Sequence, residues 1–123
     1  MPITNPTVTI ESIRAAIMRQ EGEPVNPTNP GNLRSAPWLS GIIPMHDEFW
    51  NPATIQEGIA GLDHLIALHR AEGNTLTDFI AGHPGVYAGF APGTDGNNDA
   101  VYIADVMKWT GITDANAPLW DYL

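Results

Sequence analysis

Three stretches of this 123-residue chain carry side chains whose type and spacing suit chemistry: Glu21-Gly22, Asn29-Pro30-Gly31-Asn32-Leu33-Arg34, and Asp95 through Tyr102. Glu21 falls where an apolar helical repeat stops at Gly22. A carboxyl there lies near the negative end of the helix dipole, which disfavours its ionised form, and burial beside apolar neighbours acts in the same direction. A carboxyl kept protonated near neutral pH is suited to general acid work, such as protonating the oxygen of a glycosidic bond. The plain alternative is a solvated Glu ahead of a capping glycine, which is a common way to end a helix.

Asn29 to Arg34 combines residues that tolerate positive φ with a proline of fixed φ, so a tight, rigid turn is expected. It can support Glu21 and offer amides, from Asn29 and Asn32, to sugar N-acetyl groups; it can equally be a connector. In the third stretch Asp95, Asn98, Asp99 and Tyr102 cluster at a helix start. Such groups suit sugar hydroxyls and acetamides, and suit plain capping as well.

The remaining polar residues point to less. His46-Asp47-Glu48 sit side by side in an irregular segment, where adjacent residues rarely converge on one ion, and His64 and His69 are five apart on a helix. No metal and no cofactor is therefore expected. The chain lacks cysteine, and no serine stands in a nucleophile-elbow motif. Of the four tryptophans, Trp109 and Trp120 read as core, Trp38 as a candidate sugar-stacking residue on a cleft rim, and Trp50 is open between the two roles.

The elements that must position these groups follow from periodicity and caps. Residues 1–8 form an extended, proline-bearing lead-in. Ile10, Ile13, Ala16 and Ile17 then recur at helical spacing behind Thr9 as N-cap. Six prolines between Glu23 and Pro52 forbid long helix there, and Trp38-Leu39 with Ile42-Ile43 suggest a small hairpin. Thr54-Ile55-Gln56-Glu57 is a capping box opening a central helix with a buried stripe of Ile55, Ile59, Leu62, Ile66 and His69. Thr75 to Asp78 caps a short helix to about residue 81, and a loop dense in glycine and proline covers 82–97. Asn97 or Asn98 caps the last helix, which carries Tyr102, Ile103, Val106, Met107 and Thr110 and stops at Gly111. An apolar foot of Leu119, Trp120 and Leu123 follows.

These elements predict one mainly α domain over 1–123 (α+β at most), with about five helices and a minor β-hairpin. With 43% hydrophobic residues the chain can fill one core. Fourteen acids against five bases leave a net charge of −9, which disfavours nucleic acid and anionic lipid as partners. No run approaches the roughly 18 apolar residues of a membrane span. The first residues lack a basic and an apolar signal region, so either this is a mature chain or release by lysis or a dedicated export machine is expected.

Glu21-Gly22 closing a helix, Asn29-Pro30-Gly31-Asn32-Leu33, Glu57-Gly58, and a proline-containing loop with Asn98-Asp99 and Tyr102-Ile103 come in an order that resembles the small lysozyme-like proteins of phages and bacteria, over roughly residues 10–112. The Asn-Pro-Gly-Asn-Leu string is the most specific piece. The resemblance implies a lysozyme-like fold, a monomer acting on peptidoglycan glycan strands, and hydrolysis or transglycosylation of their β-1,4 bonds with Glu21 as general acid. The proline-rich 35–52 segment and the acidity depart from the family. Glycosidases commonly pair two carboxylates, about 5 Å apart for retention and wider for inversion. Asp47, Glu48, Asp95 and Asp99 are the candidates for the second, with substrate assistance by an N-acetyl group as the other route. A non-catalytic glycan-binding or virion-structural module, and a chitin-cleaving glycosidase, are the competing expectations.

Overall fold

The computed structural model describes residues 8–23, 26–31, 51–83, 87–88 and 98–123. They are mainly helical: α1 (Ile10–Glu21), α2 (Ile55–Ala71), α3 (Leu76–Ala81), α4 (Asp99–Thr110) and a 3-10 turn at Leu119–Asp121. Each α-helix starts where the sequence offers an oxygen to its first free amides. The Thr9 hydroxyl accepts from the Ser12 amide at 3.0 Å while the Ser12 hydroxyl accepts from the Thr9 amide at 2.9 Å, a reciprocal box on α1. Thr75 and Asp78 form the same box on α3, and Asn98 Oδ1 accepts from the Val101 amide at 3.1 Å to cap α4. Thr54 caps α2 through the Glu57 amide, but the Glu57 carboxylate reaches one residue further back, to the Ala53 amide at 3.0 Å.

α1 packs against both α4 and α2, α3 packs on α4, and the C-terminal turn packs on α2. α1, α2, the longest helix, and α4 thus each pack against two other elements. Ile13, Ala16 and Ile17 of α1 meet Leu62 and Ile66 of α2, Leu76, Phe79 and Ile80 of α3, and Tyr102 and Val106 of α4 in one buried cluster. Each large aliphatic buried this way contributes about 1.5–3 kcal/mol from area alone. Arg14 of α1 and Asp63 of α2 pair across the rim at 2.8 Å, both partly exposed.

The face of α2 differs from the expected stripe. Ile55 is 44% exposed, Ile59 is half-buried, and the inward side is made by Gly58, Gly61, Leu62 and Ile66. The reason lies in what α2 packs against: a Cβ at Gly58 would stand 1.9 Å from the Thr28 carbonyl oxygen and 3.0 Å from Pro30 Cδ. The Asn26–Gly31 turn therefore lies directly on the helix backbone, and only glycine permits that approach. Gly31 adds to the seat, its α-carbon facing the Leu62 side chain, and the Thr28 hydroxyl donates to the Pro52 carbonyl at 2.7 Å.

The C-terminal tail closes the other end. Leu119 N–H donates to the Asn74 carbonyl at 2.8 Å, and the buried Tyr122 hydroxyl accepts from the Thr113 and Asp114 amides at 3.1 and 2.8 Å. Leu119 is buried as expected, but Trp120 is 51% exposed and leans on Gly73, so it is not a core residue. The 3-10 turn puts neighbouring residues on different sides, so Leu119 and Trp120 cannot both face inward. Trp109 is likewise only partly buried; the Arg19 guanidinium sits 4.2 Å from its ring centroid, a cation–π contact.

Within 82–97, read as continuous loop, Gly82–His83 and Tyr87–Ala88 pair antiparallel, Gly82 opposite Ala88 and His83 opposite Tyr87. The hairpin expected at Trp38-Leu39 and Ile42-Ile43 lies outside the described residues. No helix among them is long and apolar enough to cross a membrane.

Candidate active site

Glu21 is the last residue of α1. Gly22 takes φ 67°, a left-handed value that glycine adopts freely, and its N–H donates to the Met18 carbonyl at 3.1 Å. A Cβ there would meet nothing within 4 Å, so the demand for glycine is conformational rather than steric. The helix thus ends abruptly at the carboxyl, and the chain leaves toward the Asn26–Gly31 turn.

Glu21 is half-buried, and a side chain of α4 faces it. The Tyr102 hydroxyl donates to Glu21 Oε2 across 3.4 Å, a long hydrogen bond between residues 81 apart in sequence. Tyr102 is 4% exposed. Its burial, then the Glu21 charge, then the hydrogen bond itself push the phenol far above its ordinary value near 10. Below that range the hydroxyl is a fixed, neutral donor. A donor on the carboxylate favours the charged form, whereas the C-terminal end of α1 disfavours it. Two opposed influences therefore meet on one carboxyl, which suits a group that must hold a proton and release it.

The same two helices are tied a second time, at Arg19 and Trp109. Arg19 lies in the last turn of α1 and Trp109 in the last turn of α4, so the last turn of α1 meets α4 at two points, Trp109 and Tyr102.

The other expected site residues fall as follows. Asn29 is fully buried, and its N–H donates to the Asn26 carbonyl at 2.9 Å. It fixes the turn from inside and presents no surface to a sugar, contrary to the binding role expected for it. Tyr102 too is placed in the core with its hydroxyl on Glu21, so the sugar contact expected of it gives way to a contact with the carboxyl. Asn98 is exposed but its side-chain oxygen is used as the α4 cap, and Asp99 is half-buried in the first turn of α4. The structure brings Glu21 and Tyr102 together and seats Asn29 and Gly31 on α2. Asn32, Trp38, Asp47, Glu48 and Asp95 lie outside the described residues.

Among the described residues, no three His, Asp or Glu gather as a metal-binding group. His69 stacks on Phe79 with ring centroids 4.6 Å apart, and its Nδ1 is 2.9 Å from Asn74 Nδ2. Burial lowers its proton affinity, while the charges of Glu72 and Asp78 partly oppose this. A neutral imidazole accepting from Asn74 at the end of α2 is a packing arrangement.

Sequence reasoning missed Gly58 as the seat of the turn. The signal was present in Glu57-Gly58: a glycine inside an otherwise well-capped helix costs stability unless a backbone approach requires it. Searches with protein-family models, curated proteins and solved structures give no match to this chain.

Proposed function

We propose that this chain is a lysozyme-like glycosidase, a muramidase or lytic transglycosylase, that cleaves the β-1,4 bond between N-acetylmuramic acid and N-acetylglucosamine in peptidoglycan with Glu21 as general acid. The observation that carries the reading is the half-buried Glu21 carboxyl at the end of α1, held against the buried Tyr102 hydroxyl of α4. A surface glutamate before a capping glycine has no need of such a partner. A proton donor to a leaving oxygen does, because its position sets the rate.

The turn after Glu21 supports the same reading. Asn26–Gly31 is pressed onto the α2 backbone at Gly58, which gives the turn that follows Glu21 in the chain a fixed place. Sites that must hold reacting groups to within a fraction of an ångström are built on such rigid supports. On this reading the protein acts as a monomer without a cofactor, reaches the wall as part of a phage particle or by export, and spares nucleic acid and membranes.

Acidity shapes how it works. Fourteen acids against five bases leave a net charge of −9, and one of those bases, Arg14, is paired with Asp63. An anionic wall repels such a chain at neutral pH and low salt, so activity favours acidic conditions and responds strongly to salt.

The test is muropeptide release from purified peptidoglycan by the wild type and by Glu21→Gln, with sedimentation of each protein on the same wall. Release by the wild type, and its loss in a variant that still sediments, supports a glycosidase. Sedimentation without release by either protein supports a non-catalytic glycan-binding or virion-structural module instead. Release from chitin oligomers but not from peptidoglycan assigns the chitin-cleaving alternative.

A further inference from the structure

We infer that Tyr102 is a positioning residue for Glu21: from its buried place on α4 its hydroxyl fixes the carboxyl at the end of α1 and holds it as a hydrogen-bond acceptor between turnovers. The inference rests on the reading of Glu21 as the general acid, yet it concerns a coupling that is measurable without any activity.

Geometry is the first support. The phenol ring is part of the core cluster that holds Ile13, Ala16 and Ile17 of α1, so the donor cannot swing away from Glu21 without opening the α1–α4 interface. A solvent-exposed donor would be free to exchange for water; this one is 4% exposed. The charged groups on the packed elements are otherwise placed. On α1, Arg19 lies over Trp109; on α2, Asp63 is taken by Arg14; on α4, Asp99 and Asp105 stand one turn either side of Tyr102, with Lys108 exposed beyond. The Tyr102 hydroxyl is the α4 group seen in hydrogen-bond contact with Glu21, and donation to a carboxylate favours its charged form.

The experiment is carboxyl-carbon NMR titration of Glu21 in the wild type and in Tyr102→Phe, with circular dichroism to establish that the variant is folded. Removing the donor should raise the Glu21 titration midpoint by roughly one pH unit, about a tenfold change in its acid dissociation constant. In the muropeptide assay, Tyr102→Phe should lower kcat by about tenfold while KM changes less than about twofold, because the lost orientation of the acid acts on the chemical step and outweighs its larger protonated fraction. An unchanged Glu21 midpoint in a folded Tyr102→Phe overturns the inference even if the enzyme is active. A shifted midpoint in a protein that releases no muropeptides keeps the coupling and refutes the muramidase reading. Should Tyr102→Phe fail to fold, Glu21→Gln supplies the reciprocal measurement. By linkage, Tyr102 should then ionise at lower pH than in the wild type by phenolate absorbance, and an unmoved phenol would overturn the inference.

Discussion

Gly58→Ala isolates the contact that seats the Asn26–Gly31 turn on α2. Inside an α-helix this change is ordinarily favourable, by about 1 kcal/mol. Here the added Cβ would stand 1.9 Å from the Thr28 carbonyl oxygen and 3.0 Å from Pro30 Cδ. A carbon and a carbonyl oxygen settle at roughly 3.3 Å, so turn and helix must part by more than about 1 Å. Neither partner is the flexible tip of a side chain, which places the clash at the upper end of overpacking costs, about 3 kcal/mol. Parting also strains the 2.7 Å bond from the Thr28 hydroxyl to the Pro52 carbonyl, worth about 1 kcal/mol. With the helical gain subtracted, the net loss is about 3 kcal/mol, or roughly 12 °C in Tm for a chain of this size. Thermal unfolding followed by circular dichroism reads this directly. The exposed Ala60→Gly, two residues further along α2 on its solvent side, calibrates the helix term in the same protein. A Gly58→Ala protein as stable as the wild type, or more stable by the amount Ala60→Gly loses, would show that the turn is not seated on α2.

Three further outcomes follow from charge and from strain. His69 is neutral and half-buried, with its proton affinity lowered by that burial; below about pH 6.5 the unfolded chain gains a proton that the folded chain refuses, so stability falls as pH drops from there toward the folded value. Urea midpoints should therefore show the stability of the wild type relative to His69→Gln declining as the solution is acidified, and a constant gap would contradict the assignment. Tyr102 runs the opposite way: its contribution is complete below about pH 10 and is lost above it as the phenol is forced to ionise, at up to about 1.4 kcal/mol per pH unit. Tyr102→Phe should flatten that alkaline slope, and equal slopes would count against it. Gly73→Ala combines a φ of 74° with a Cβ 2.5 Å from the Trp120 ring; it should cost about 2 kcal/mol and shift the Trp120 indole NMR signal, whereas an unmoved indole would mean the ring does not rest there.

Much of the helical frame was legible because caps are local. Thr9, Thr54, Thr75 and Asn98 each announce a helix within four residues, and Gly22 and Gly111 end two of them. What periodicity could not supply was the identity of the partner. The stripe on α2 was misread because hydrophobic spacing gives weight to Ile55 and none to Gly58, although the glycine makes the closer contact. Trp120 was misread for a related reason: an aromatic residue after a buried Leu119 looks apolar in sequence, but the tight 3-10 turn carries it to the surface. The two-residue strands at Gly82–His83 and Tyr87–Ala88 are too short to show an alternating pattern. At the site, Glu21 was marked by its place before Gly22, but its neighbour was not. Tyr102 lies 81 residues away, and nothing local ties its hydroxyl to that carboxyl; the sequence suggested a sugar ligand where the fold has a buried donor.

These pH effects bound the proposed activity. Wall affinity grows as the carboxylates are protonated, whereas His69 erodes the fold over part of the same range, so release should be fastest at mildly acidic pH rather than at the acid extreme. The most direct measurement is mass spectrometry of muropeptides released from purified peptidoglycan between about pH 4 and about pH 8, for the wild type beside Glu21→Gln. The account predicts release by the wild type, fastest below about pH 6, and none by the variant, with reducing or anhydro ends in the products separating hydrolysis from transglycosylation. Equal release by the two proteins, or none by the wild type at any pH, would contradict Glu21 as the general acid.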